Sequence, residues 1–119
     1  MQNFRNLKVW QKAHRLTLAV YECTRCFPRE EMCGLTSQMR GCSCSVASNI
    51  AESCGRGGDA DMSRFLQMAM GSASELEYQL LLSHDLGLVN ESAHKVLVSQ
   101  ATEVKRMLAS LLHKLRADS

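Results

Sequence analysis

The 119-residue chain is expected to fold as an all-α protein, an antiparallel up-down-up-down four-helix bundle forming one domain over residues 1–119. Three observations lead there. Breaks at Phe27-Pro28, Cys54-Gly55-Arg56-Gly57-Gly58 and Leu86-Gly87-Leu88 cut the sequence into four segments. Each segment repeats apolar residues at helical spacing, and no run alternates with period two for long enough to make a sheet. At 45% hydrophobic and 22% charged residues, the chain has the balance of one domain able to bury roughly two thirds of its unfolded surface.

In the first segment Val9, Ala13, Leu16, Val20, Cys23 and Phe27 form one stripe. It ends at Phe27, because the residue before a proline is pushed out of the α region. Segment two carries Leu35, Met39, Cys42, Val46 and Ile50, with Thr36 as candidate N-cap, and stops where three glycines allow positive φ. Segment three, capped by Asp59 or Asp61, places Phe65, Ala69, Ser72, Leu76 and Leu80 on its stripe and has a second apolar set at Leu66, Met70, Ala73 and Leu81. Gly87 suits the left-handed position that closes a helix, and Leu88 can pack back on the last turn. Segment four, capped by Asn90 or Ser92, offers Leu97, Ala101, Val104, Leu108, Leu111 and Leu115.

The central segments lack the charges of a wet face. None occurs from Gly41 to Ala51 or from Phe65 to Ser74, which is expected of helices buried between subunits. Small residues such as Gly41, Ser45 and Ala47 would let another backbone approach. The chain is therefore expected to associate with copies of itself.

Net charge is +2, too small to indicate a polyanion partner, but it is unevenly spread. Residues 1–40 hold seven basic and three acidic groups, residues 59–91 one and six, and residues 92–119 five and two. Antiparallel packing would pair part of this asymmetry, and the remainder would set up a field able to steer an anionic partner. No stretch approaches a membrane span and the N-terminus has no signal-type apolar segment, so the expected location is cytoplasmic, away from membranes.

Catalytic and metal templates find little to match. The six cysteines (Cys23, Cys26, Cys33, Cys42, Cys44, Cys54) do not make paired zinc knuckles or a redox CxxC before a helix, and they are read as small packing residues. A Glu-x-x-His pair occurs once, at Glu91 and His94, where a di-metal bundle needs two. His14, His84 and His113 have no carboxylate at that spacing. No phosphate loop, nucleophile elbow or calcium loop is present. The expectation is no catalytic residue, no cofactor and no metal. The positive signal is a basic stripe at Arg5, Lys8, Lys12 and Arg15, suited to phosphate contacts. With 5% aromatics, base stacking is not indicated.

Leu7-Lys8-Val9-Trp10-Gln11-Lys12-Ala13, Gly34-Leu35-Thr36-Ser37-Gln38-Met39-Arg40, Ser48-Asn49-Ile50-Ala51-Glu52, Arg64-Phe65-Leu66 and Gly71-Ser72-Ala73-Ser74-Glu75-Leu76-Glu77 follow in order, with Phe27-Pro28 and Leu86-Gly87-Leu88 among them. Over about Leu7 to Leu88 the chain resembles the bacterial four-helix-bundle proteins encoded within intervening sequences of large-subunit ribosomal RNA genes. The accessory variability determinant of diversity-generating retroelements belongs to the same broad family. The resemblance implies a ring-like homopentamer and, for the retroelement branch, binding to RNA or DNA and to a reverse transcriptase. The chain departs from the family pattern at Gly41, where a second Arg commonly follows Arg40, at Ala47, where Pro is common, and at Ser53-Cys54, where Gly and an aromatic are common. The expected role is a non-catalytic nucleic-acid-binding accessory. The alternative is an oligomeric scaffold that binds protein.

Overall fold

The structure, a computed structural model, describes residues 3–118. Four helices carry it: α1 (Lys8–Thr24), α2 (Ser37–Cys54), α3 (Asp59–Asp85) and α4 (Glu91–Asp118). There is no strand among the described residues. Each helix packs on two neighbours, in the cycle α1-α2-α3-α4-α1. Cross-helix contacts run in opposite directions along each pair: Thr24 meets Arg40 while Thr17 meets Ser43, and His84 meets Glu91 while Glu77 meets Lys105. The result is an up-down-up-down four-helix bundle, 46 Å long and 22 by 20 Å across.

The core stripes follow the expected faces, with single positions one residue out. Thr24 rather than Cys23 is buried in α1, Ser43 rather than Cys42 in α2, Leu66 and Ala73 rather than Phe65 and Ser72 in α3, and Leu112 rather than Leu111 in α4. In α2 and α3 the later expected positions Val46, Ile50, Leu76 and Leu80 are buried, so single positions are exchanged there, whereas α4 moves on by one at its end, as a 3.5-residue pattern does on a 3.6-residue helix. The displaced residues sit half-buried at the seam. Ser43, Ser53 and Ser83 enter the core because each hydroxyl donates to a carbonyl three residues back, at 2.6 to 3.1 Å. Thr24 is buried at 2% exposure; its hydroxyl donates to the Val20 carbonyl at 2.8 Å and accepts from Arg40 Nε at 2.9 Å.

The expected breaks hold, with corrections at their edges. α1 stops at Thr24, and an irregular passage through Pro28 leads to α2. Thr36 makes no side-chain cap; instead the Glu31 carboxylate accepts from Leu35 N at 3.2 Å. Gly58 occupies the N-cap of α3 with extended backbone, which leaves Asp59 and Asp61 in the first turn. None of Gly55, Gly57 and Gly58 takes the expected positive φ, because the short connection is made with ordinary backbone angles. Gly87 does take it, at φ 76°. Gly87 N donates to the His84 carbonyl at 3.0 Å and Leu88 N to the Ser83 carbonyl at 2.9 Å, closing α3 with a Schellman turn. Asn90 Oδ1 then accepts from Ala93 N at 2.8 Å and caps α4.

The uncharged runs of α2 and α3 keep part of their surface open. Ser48, Met68 and Ser74 are exposed there, and a Cβ placed on Gly41 or Gly71 would meet nothing within 4 Å. No helix among the described residues is long and apolar enough to cross a membrane.

Candidate functional site

The basic stripe is built from two pieces rather than one helix. Leu7 is extended, at φ −84° and ψ 122°, so α1 begins only at Lys8 and Arg5 lies in the single turn Phe4–Asn6 ahead of it. That turn is pinned to α1 by Gln11 Nε2, which donates to the Arg5 carbonyl at 2.9 Å. Trp10 holds it too, edge-on to Phe4 at 4.9 Å and stacked on His14 at 5.0 Å. The Arg5 guanidinium lies over the Phe4 ring, 4.7 Å from its centroid. Arg5, Lys8 and Arg15 are exposed. Lys12 reaches across to Glu103 of α4 at 3.3 Å.

That contact leads to cations the stripe alone does not include. Packing α1 against α4 brings Lys8 together with Arg106 and Lys114 around an open groove of about 550 Å³, floored by Leu7, Val9, Met107 and Leu111 and closed at one side by Glu103. Only part of this convergence is legible in the sequence. Glu103, Arg106 and Lys114 share a face of α4, but their convergence on Lys8 depends on which helix lies beside α1. Other cations are taken up by the fold. Arg40 bonds Thr24 and covers the Tyr21 ring at 4.7 Å, Arg56 pairs with Glu52 at 2.8 Å and covers Phe65 at 4.4 Å, and Lys105 pairs with Glu77 at 2.9 Å.

A second cluster forms at the opposite end of the bundle, across the α3–α4 turn. His84 Nε2 lies 2.9 Å from a Glu91 carboxylate oxygen, and the His84 and His94 rings stack at 4.2 Å. The hydrogen bond from His84 holds the Glu91 carboxyl below the ordinary carboxylate range. His84 had no carboxylate at the Glu-x-x-His spacing; Glu91 reaches it from the far side of Gly87, seven residues on. The thiols are all free. Cys54 is buried, Cys26 and Cys33 are exposed, and Cys23, Cys42 and Cys44 are intermediate. Burial pushes the Cys23 and Cys42 thiols up.

Comparison with known proteins places this geometry. The profile of the 23S rRNA-intervening sequence proteins matches residues 5–110, nearly the whole bundle and most of α4. The chain belongs to the 23S rRNA-intervening sequence protein family. The described residues of this member are arranged in helices and connections, with no strand. A crystal structure of a protein of unknown function from the S23 ribosomal protein family of Bacteroides thetaiotaomicron is similar in fold. Its TM-score is 0.82 at 21% identity, over 88% of this chain and 95% of that one. No curated protein matches the sequence.

Proposed function

We propose that this intervening-sequence family protein is a homo-oligomeric nucleic-acid-binding accessory that holds phosphates on its α1–α4 face. The observation behind this reading is the gathering of Lys8, Arg106 and Lys114 about one groove, with Lys12 and Arg15 continuing along α1 and Arg5 in the turn ahead of it. Phosphate recognition needs little more than cations spaced along an exposed face, and assembly repeats that face around the oligomer. Among the described residues Lys12 is the one of these six in an ion pair, and at 40% side-chain exposure it can exchange Glu103 for a phosphate at small cost. Recognition of this kind is electrostatic and weakly sequence-specific. A reverse transcriptase, as in the retroelement branch, is the protein partner that fits such an accessory.

Assembly is proposed to run through the outer faces of α2 and α3, with five copies as the expected number. Glycine inside a helix costs about 1 kcal/mol relative to alanine. At Gly41 and Gly71 no contact within the protomer requires it, whereas a neighbouring backbone at that surface would.

Lys12→Glu with Arg15→Glu is expected to abolish binding to duplex DNA and structured RNA while leaving the oligomer intact, since both residues lie off the core stripe. Lack of binding by the unaltered protein at low salt overturns the reading and favours the scaffold alternative. The apolar groove floor of Leu7, Val9, Met107 and Leu111 is the feature that would suit a protein side chain.

A further inference from the structure

We propose that His84, Glu91 and His94 form a binding site for a divalent transition-metal ion of the zinc class, clamping the end of α3 to the start of α4. One ligand atom from each residue can be chosen so that all three lie within 4.8 Å of one another. Around a tetrahedral zinc, with Zn–N of about 2.0–2.1 Å, neighbouring ligand atoms stand about 3.3 Å apart. The His84 and His94 rings stack nearly parallel, so binding would turn at least one ring out of the stack to aim both lone pairs at the ion. Gly87 holds the Schellman turn on one side and Asn90 caps α4 on the other, so the three residues are presented from a rigid corner.

Two further observations set this cluster apart from an ordinary surface hydrogen bond. His94 Nε2 is shielded from solvent and has no hydrogen-bond partner, an unmet polar atom within the cluster itself. The far nitrogen of His84, Nδ1, faces the Asp85 carboxylate at 3.7 Å. Metal-bound imidazoles are commonly oriented through their other nitrogen by a carboxylate. In the tautomer that carries its proton on Nδ1, toward Asp85, His84 would present an Nε2 lone pair to the ion on the side where Glu91 lies. Glu91 is exposed, which gives the ion a path in.

The donor set selects the class. Two imidazoles and one carboxylate suit zinc, nickel or copper and disfavour magnesium and calcium, which take oxygen ligands. Three protein ligands leave a position for water or for a donor from another molecule. The proposal is independent of the nucleic-acid reading, whose groove lies at the other end of the bundle.

The test is calorimetric titration of the full-length protein with zinc chloride in a buffer that does not bind metal, alongside cobalt(II) spectroscopy. One equivalent should bind, and the cobalt complex should lack the thiolate charge-transfer bands that cysteine ligation produces. His84→Gln with His94→Gln should weaken binding at least tenfold. Glu91→Gln, which alters an exposed side chain, should weaken it severalfold with helicity unchanged. Thiolate bands, absence of binding at millimolar zinc, or unchanged affinity in the double variant would each overturn the site. If the double variant loses its helical circular dichroism, Glu91→Gln decides alone, and unchanged affinity there has the same meaning.

Discussion

Thr24 shows how one hydroxyl can hold two helices in register. It is almost wholly buried, donates within α1 and accepts from Arg40 of α2, whose guanidinium also covers Tyr21. Thr24→Val keeps the shape but leaves Arg40 Nε without its acceptor. It should lower stability in urea denaturation by about 1–3 kcal/mol, the cost of an unsatisfied half-buried donor; a neutral result would contradict the role given to this bond. The cysteines make a second residue-scale case. A raised thiol pKa means less thiolate at a given pH, and thiolate is the reactive form. Alkylation followed by mass spectrometry at pH 8 should therefore modify exposed Cys26 and Cys33 first, Cys23 and Cys42 more slowly, and buried Cys54 only on unfolding. Rates at Cys23 and Cys42 should climb as pH rises toward their thiol pKa values. Labelling of Cys23 as fast as Cys26 would argue against the packing described.

At the scale of the helix, punctuation was far more legible than phase. Pro28 and Gly87 mark helix ends because their backbone chemistry acts locally, and no neighbour is needed to read it. The apolar spacing marks the right faces but misses single positions, because which of two adjacent residues is buried depends on the neighbouring helix; only at the end of α4 does a 3.5-residue pattern part company with a 3.6-residue helix. Ser43, Ser53 and Thr24 do not read as core residues in the sequence, because their polarity points outward until the i−3 or i−4 carbonyl bond is counted. Gly87→Ala should cost about 1–2 kcal/mol, the penalty of a Cβ in the left-handed region, with the α3 terminus losing amide protection first. Gly41 and Gly71 predict a different pattern. Either Gly→Ala change should fit the protomer without a clash. Gly41→Arg or Gly71→Arg should keep the helical content and reduce the mass in light scattering to that of one chain. An undisturbed assembly in both would remove the α2–α3 face as the interface.

For the whole molecule, the sites depend on which helices meet, and that information is absent from any single segment. The stripe of Lys8, Lys12 and Arg15 could be read along α1, yet Arg106 and Lys114 join it only because α4 lies alongside. His84 joins Glu91 and His94 only because Gly87 folds α3 back onto α4. The proposed assembly would multiply whatever one protomer offers. Light scattering at micromolar concentration should give about five times the 13.3 kDa chain mass, and a clean monomer would contradict the assembly.

Salt titration of duplex DNA binding by the assembled protein decides whether the α1–α4 face acts as a phosphate surface. Each phosphate neutralised contributes about −0.9 to the slope of log affinity against log salt. If the six cations of one protomer engage, the slope should be about −5, steeper when neighbouring protomers take part, and shallower by about 2 in a Lys12→Gln, Arg15→Gln variant that still binds. A slope near zero, or one that the variant leaves unchanged, would contradict a phosphate-binding role for this face.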